Sequence, residues 1–292
     1  MRGPPREEAT MSPLDSLRTM MYRAGLDYTG PLVADGRLHR VKVEGDKSPD
    51  SWYVLHAGPP AAGAFGCWKR GFKEVWCERN GSLSQAERDE VRRDWQDAER
   101  DRLRVEKERR DKARKTAGWL FKRANPVRAH AYLSAKGVKA FGGMREYRGA
   151  LVLPLRDING ELHSVQFIAA DGLKKFLSGG RIAGCFFGLA DKPDGPLVLC
   201  EGYATGASIH EATDRATVCA MHCGNLMAVA RALRQKFPSR EIVVAADNDA
   251  WKDGNPGLSK AREAALAIGA KLAVPQFTYV TSRPTDFNSP LE

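Results

Sequence analysis

The chain has 292 residues, 42% of them hydrophobic, and a formal net charge of +10. That supports two domains with packed cores, and it excludes both a disulfide-stapled miniprotein and a chain too polar to fold. No run approaches a transmembrane length, no signal peptide is visible and the six cysteines form no CxxC pair, so the expected setting is the cytoplasm, away from membranes, with reduced thiols.

The positive surplus favours a polyanionic partner. It lies upstream, because residues 197–292 carry ten basic and ten acidic residues. Residues 1–11 are polar and Pro-rich and are expected to form a disordered tail, followed by a short helix over 12–26. Between Gly30 and Cys77 the pattern becomes short alternating runs at 38–43, 51–56, 64–68 and 74–77, with turns at Asp35-Gly36 and over 45–49. This predicts a small antiparallel β module within residues 12–80. It interleaves Trp52, Tyr53, Trp68 and Trp76 with Arg40, Lys42, Lys69, Arg70 and Lys73. Trp52, Trp68, Lys69, Arg70 and Trp76 are the candidate contacts to single-stranded DNA, by base stacking and phosphate pairing. The same aromatics could equally fill the core of so small a module. Cys67 and Cys77, with His39 and His56 upstream, match no ribbon or finger spacing, so zinc is not expected.

Residues 82–124 read as a long charged linker helix. Ser84 and Glu87 form a capping box at its start, and its apolar residues are too sparse for a heptad seam. It turns apolar at Ala117-Gly-Trp-Leu-Phe121. Asn125-Pro126 is expected to open a helix that ends at Gly137. Residues 125–195 then form a β-rich basic region, with strands at 150–155 and 162–168. A loop follows, Lys174-Lys-Phe-Leu-Ser-Gly-Gly-Arg181. Three cations and glycine-rich backbone suit a triphosphate.

From residue 196 strand and helix alternate: strands at 197–200, 216–221, 241–246 and 271–274, helices at 205–212, 226–236 and 258–268. That alternation predicts a parallel α/β domain. Two of its apolar strands end abruptly in acid. One delivers Glu201, the other Asp247 and Asp249. Ligands gather at the carboxyl ends of such strands. Three carboxylates there repel one another unless a cation intervenes, and an all-oxygen set suits Mg²⁺ or Mn²⁺. Capping of the following helices is the competing explanation for the acids. The pattern points to metal-dependent chemistry on phosphates and does not separate making bonds from breaking them.

The pair Glu201-Gly202 and Asp247-Asn-Asp249, each after an apolar strand, resembles the Toprim domain of DnaG-type bacterial primases, type IA and type II topoisomerases and some nucleases. Upstream, Gly149-Ala-Leu-Val-Leu-Pro-Leu-Arg-Asp157, Val165-Gln-Phe167, Lys175-Phe-Leu-Ser178, Phe187-Gly-Leu189 and Tyr132-Leu-x-x-Lys-Gly137 resemble the basic subdomain of those primases and the helix before it. The Glu-Gly-Tyr-Ala-Thr-Gly form and the ending Pro284-Thr-Asp-Phe-Asn288 are similar to primase-like proteins of phages, plasmids and conjugative elements. The expected fold is mixed α+β: a Toprim-type parallel α/β domain at 196–288, preceded by the basic subdomain, the long helix and the small β module.

The resemblance implies primer synthesis on single-stranded DNA from nucleoside triphosphates, for replication of a mobile element. Asp247 and Asp249 would coordinate divalent metal, Glu201 would be a further ligand or the general acid/base, and Asp286 would add another carboxylate. Arg156, Lys174, Lys175 and Arg181 would hold the triphosphate or the template. A replicative helicase is a further candidate partner, although the cellular enzymes carry a helicase-docking domain where this chain stops. Two alternatives use other chemistry. A Toprim nuclease would use the same metals, but Tyr203-Ala-Thr205 lacks the extra acid such nucleases tend to carry. A non-enzymatic accessory protein that binds single-stranded DNA would not need the intact Glu/Asp/Asp set. A topoisomerase would need a strand-gating domain for which the chain has no room.

Overall fold

A computed structural model describes residues 12–46, 48–58, 60–77, 85–190, 192–277 and 283–289. The expected N-terminal tail and the Ser84 capping box lie outside them. The chain divides into two units, one up to Leu103 and one from Arg104.

In the first unit, α1 (Pro13–Arg23) starts where the Ser12 side chain accepts the Asp15 N–H and proline occupies the first turn, both standard helix-start chemistry. Four strands follow, β1 (His39–Val41), β2 (Ser51–His56), β3 (Ala62–Cys67) and β4 (Phe72–Cys77), in one antiparallel sheet in chain order. In β2, Ser51, Tyr53 and Leu55 are buried while Trp52, Val54 and His56 are half-buried. One sheet face is therefore core, and the face that carries Trp52 is only partly covered. The core joins Leu17 and Met21 of α1 to Val41, Tyr53, Leu55, Phe65, Cys67 and Trp76.

Helix α2 (Gln85–Arg123) is continuous over 39 residues. Arg104 pairs with Glu108 and Arg110 with Glu106 at helical spacing. In the second unit its end turns apolar as expected: Ala117 and Leu120 pack with Val152 and Val165.

The second unit begins with β5 (Asn125–Pro126), α3 (Ala131–Lys136), β6 (Arg145–Tyr147), β7 (Ala150–Arg156), β8 (Leu162–Ile168) and β9 (Lys174–Phe176). The five strands form one antiparallel sheet in chain order. Asn125-Pro126 does not open a helix. A residue before proline is pushed to extended backbone, and Asn125 and Pro126 pair with Glu146 and Arg145 instead. The helix starts later because buried His130 caps it, its Nδ1 accepting the Tyr132 N–H at 3.2 Å. It ends at Gly137, φ 64°, as expected.

The remaining elements are β10 (Phe187–Gly188), β11 (Leu197–Cys200), α4 (Tyr203–Thr213), β12 (Ala216–Cys219), α5 (Leu226–Lys236), β13 (Ile242–Ala245), α6 (Pro256–Ile268) and β14 (Lys271–Ala273). The sheet order is β10-β12-β11-β13-β14. The last four strands of the chain are parallel, and β10 joins the β12 edge antiparallel. Tyr203, Ala204 and Ala207 of α4 pack on one face with Leu151, Leu153 and Phe187, while α5 and α6 cover the other. The architecture is mixed α+β with a parallel α/β sheet. The chain runs from β11 to β12 on one side, and the connection after β12 crosses back to β13 on the other side of β11. That makes its carboxyl end a topological switch point.

Candidate active site

Glu201 directly follows β11, and Asp247 follows β13 with one residue between. These strands are parallel neighbours, with Leu199 opposite Val244, so both carboxylates leave the same edge of the sheet. Asp249 lies two residues further along. A late segment brings Asp286 to the same place. The Asn248 N–H donates to the Thr285 carbonyl at 2.6 Å, and Trp251 Nε1 donates to the Pro284 carbonyl at 3.3 Å.

The acids act on one another electrostatically. Burial, then Glu201, Asp286 and Asp249, push the Asp247 carboxyl up to about 8, with Lys174 opposing. Burial, then Asp249, also raise Glu201, against the Cys223 N–H, Lys174 and Lys252. Asp247 Oδ1 is buried and has no hydrogen-bond partner among the described residues. Such an oxygen costs on the order of 1–3 kcal/mol when unmatched, and its carboxylate neighbours make ionisation harder. A divalent cation held by oxygen ligands would relieve both penalties. The four acids therefore fit a hard divalent metal.

Small residues let helices approach this cluster. A Cβ on Gly257 would lie 2.7 Å from the Asp247 carbonyl oxygen and 3.2 Å from Asp249 Oδ2. Glycine there admits the α6 N-terminus, whose dipole favours the acids. On α4, a Cβ on Gly206 would lie 2.6 Å from Cys219 Sγ and 3.0 Å from Cys200 Sγ. The Glu-Gly-Tyr-Ala-Thr-Gly stretch thus ends on the residue that seats its helix. Tyr203 fixes the same helix. Its hydroxyl donates to the Lys139 carbonyl at 2.5 Å and accepts the Phe141 N–H at 3.0 Å.

The turn after β12 holds Glu201. Met221 N–H donates to the Glu201 carbonyl at 2.7 Å, and Cys223 N–H reaches its carboxylate. Met221 adopts φ 73°, a strained value for a side-chain-bearing residue. Buried Asn225 secures this turn: it accepts the Gly184 N–H at 2.9 Å and donates to the Cys185 and Ala220 carbonyls at 2.8 and 2.9 Å. Asn225→Ala is expected to cost about 2–3 kcal/mol, because it strands buried backbone groups. Chemical denaturation checks this, and an unchanged midpoint contradicts it. Neither Asn225 nor Gly257 carried a sequence signal beyond turn composition.

The four predicted phosphate-binding cations have different surroundings. Lys174 faces the acids, and a Cβ on Gly202 would lie 3.9 Å from its Nζ. Lys175, next on β9, points to the other face. Arg156 donates to the Gly160 carbonyl at 2.9 Å and lies 5.9 Å over the Phe121 ring. Arg181 pairs with Asp157 at 2.9 Å. Asp157 also meets His163 at 2.9 Å. Burial opposes its ionisation, but the His163 hydrogen bond and the Glu161 and Asn159 N–H groups outweigh it and hold the carboxyl low. Donor atoms of Asp157, Glu161 and His163 lie within 4.8 Å of one another. Among the described residues they are the one group of three possible metal ligands that close together, and their central acid, Asp157, is already fully paired.

In the first unit, Trp52 and Trp68 lie 5.9 Å apart, and the Arg40 guanidinium sits 4.6 Å over the Trp68 ring. Trp68 is 48% exposed, whereas Trp76 is 5% exposed and belongs to the core. Lys69 and Arg70 approach Asp46 at 3.9 and 4.0 Å, and Arg70 also donates to the Gly25 carbonyl at 2.6 Å.

Residues 196–292 match the family model described as Toprim domain. The chain is 33% identical over 288 residues to a protein named DNA primase TraC of Escherichia coli, covering 91% of this chain and 20% of that protein. It is 33% identical over 260 residues to a second Escherichia coli DNA primase TraC, covering 84% of this chain and 24% of that one. The chain thus spans a fifth to a quarter of the length of these relatives. Among solved structures it is similar to the primase fragment of the bacteriophage T7 primase-helicase protein, with TM-score 0.43, 18% identity, and 57% and 71% of the two chains covered. It is also similar to a DnaG primase catalytic domain bound to ssDNA, with TM-score 0.40, 13% identity, and 60% and 76% covered.

Proposed function

From the premise that this chain carries a Toprim domain and is similar along most of its length to DNA primases, we propose that it is a metal-dependent nucleotidyltransferase. It joins ribonucleotides into short primers on single-stranded DNA for a mobile element. The observation that carries this is the buried, unpartnered Asp247 Oδ1, whose carboxyl is acted on by Glu201, Asp286 and Asp249 beyond the ends of adjacent parallel strands.

Asp247, Asp249 and Asp286 would hold the divalent ion, Mg²⁺ or Mn²⁺. When bound, that ion lowers the pKa of an attacking 3′-hydroxyl and neutralises charge on a pyrophosphate leaving group. Glu201, raised by burial, suits a proton acceptor for that hydroxyl as well as a ligand. Lys174 is the cation placed to meet the triphosphate, with Lys175, Arg156 and Arg181 further along the same basic region. Among the described residues no helix is long and apolar enough to cross a membrane, and we place the protein in the cytoplasm. A replicative helicase is a further partner to test.

The face of the first unit's sheet that carries Trp52 binds template. Arg40, Trp52, Gly66 and Lys73 lie side by side across four strands. Base–aromatic stacking is worth about 1–3 kcal/mol per base. Trp52→Ala and Trp68→Ala should each weaken single-stranded DNA binding by about tenfold with the fold retained. Trp76→Ala should unfold the module, losing about 3–5 kcal/mol. Fluorescence anisotropy with labelled oligonucleotides, beside thermal melts, reads both. Equal affinity of the Trp52 variant and the parent would remove this surface from the account.

Incubation with single-stranded DNA, ribonucleotides and Mn²⁺ tests the function. Short template-dependent oligomers are expected. DNA cleavage would replace the assignment by a nuclease, and binding without product by an accessory role.

A further inference from the structure

Lys252 lies in the loop between β13 and α6, outside every predicted site. Its backbone is fixed: its N–H donates to the Asp249 carbonyl at 2.8 Å, and its own carbonyl accepts the Asn255 N–H at 3.0 Å. Asn255 Nδ2 bonds Asn248 Oδ1 at 2.8 Å, tying the two ends of the loop together. The side chain by contrast is held at one point only: it is 66% exposed, with Nζ 3.0 Å from Asp249 Oδ1, whose side chain is 14% exposed. Among the described residues it is the one cation within ion-pair distance of any of the four clustered acids. Its charge also acts on Glu201 and Asp247.

An ammonium on Asp249 and a metal ligated by Asp249 compete for one oxygen. A lysine on a rigid loop, with a flexible four-carbon stem, can leave that oxygen without disturbing the fold. On leaving, it remains beside the cluster as a strongly hydrated point charge, which suits phosphate oxygens. We propose that Lys252 is a displaceable counter-ion: it neutralises Asp249 in the metal-free protein and moves to the incoming triphosphate when a divalent cation takes its place. This rests on the metal-site assignment above.

The test uses Lys252→Ala and Lys252→Arg in the full chain, with two binding measurements. Exposed ion pairs are worth about 0.2–1 kcal/mol, so Lys252→Ala should bind Mn²⁺ about two- to five-fold more tightly by calorimetry without nucleotide. With Mn²⁺ saturating, the same variant should bind a non-hydrolysable ribonucleoside triphosphate about tenfold more weakly, and Lys252→Arg should restore that affinity. These shifts have opposite signs, which a general loss of structure does not produce. An unchanged Mn²⁺ affinity, or an unchanged nucleotide affinity, overturns the proposal. Absence of Mn²⁺ binding by the unaltered protein overturns the metal-site assignment itself, and this proposal with it.

Discussion

Asp249→Ala is expected to reduce template-dependent joining of ribonucleotides by about three orders of magnitude or more, with the fold intact. Charge stabilisation by a bound metal is worth several kcal/mol, and each 1.36 kcal/mol is tenfold in rate. Removing a ligand from the cluster forfeits most of that. The structural cost is small by comparison. The Asp249 carboxylate pairs with an exposed lysine, so its loss changes stability by about 1 kcal/mol or less. Priming assays run beside circular dichroism and thermal melts separate the two effects. Primer synthesis at the parental rate in a folded Asp249→Ala protein would contradict the assignment.

Metal-free protein should lose stability as pH rises from about 4 to about 8, and Mn²⁺ should restore it at pH 8. The Asp247 carboxyl is raised from 3.8 to about 8 in the folded state. Between those values the folded protein holds a proton that the unfolded chain has released. The stabilisation is complete below the unfolded value and is lost as pH climbs through the folded one. Glu201 is also raised and acts in the same direction. Asp157 is lowered and acts in the opposite direction, below about pH 4. At about 1.4 kcal/mol per pH unit, the Asp247 effect is on the order of a few kcal/mol. Asp247→Asn removes the burden, so it should raise the pH 8 melting temperature of metal-free protein and abolish stabilisation by Mn²⁺. Melts at pH 5 and pH 8, with and without Mn²⁺, check this. Identical pH dependence in the parent and Asp247→Asn would show that the carboxylate is not strained.

The parallel strands were legible because short apolar runs such as Leu197–Cys200 are bounded by turns and cannot be helices. Their acidic ends were legible for the same reason, since Glu201 and Asp247 interrupt those runs. The start of α3 was not. Asn125-Pro126 has the composition of a helix start, whereas the working cap is His130, a residue outside the usual capping set. The edge position of β10 depends on its pairing with β12 across some thirty residues of chain, which local pattern does not carry. Lys174 and Lys175 looked equivalent within a basic loop. Once residues 174–176 form a strand, alternation sends one towards the acids and the other away. The places of Lys252 and Asn225 depend on how two loops close, and neither residue interrupts a pattern.

The carboxylate cluster is the centre of the account, and crystals soaked in Mn²⁺ test it most directly through anomalous scattering. A peak bounded by Glu201, Asp247, Asp249 and Asp286 is expected. A peak at Asp157, Glu161 and His163 with none at the strand ends, or no peak at either place, would contradict it.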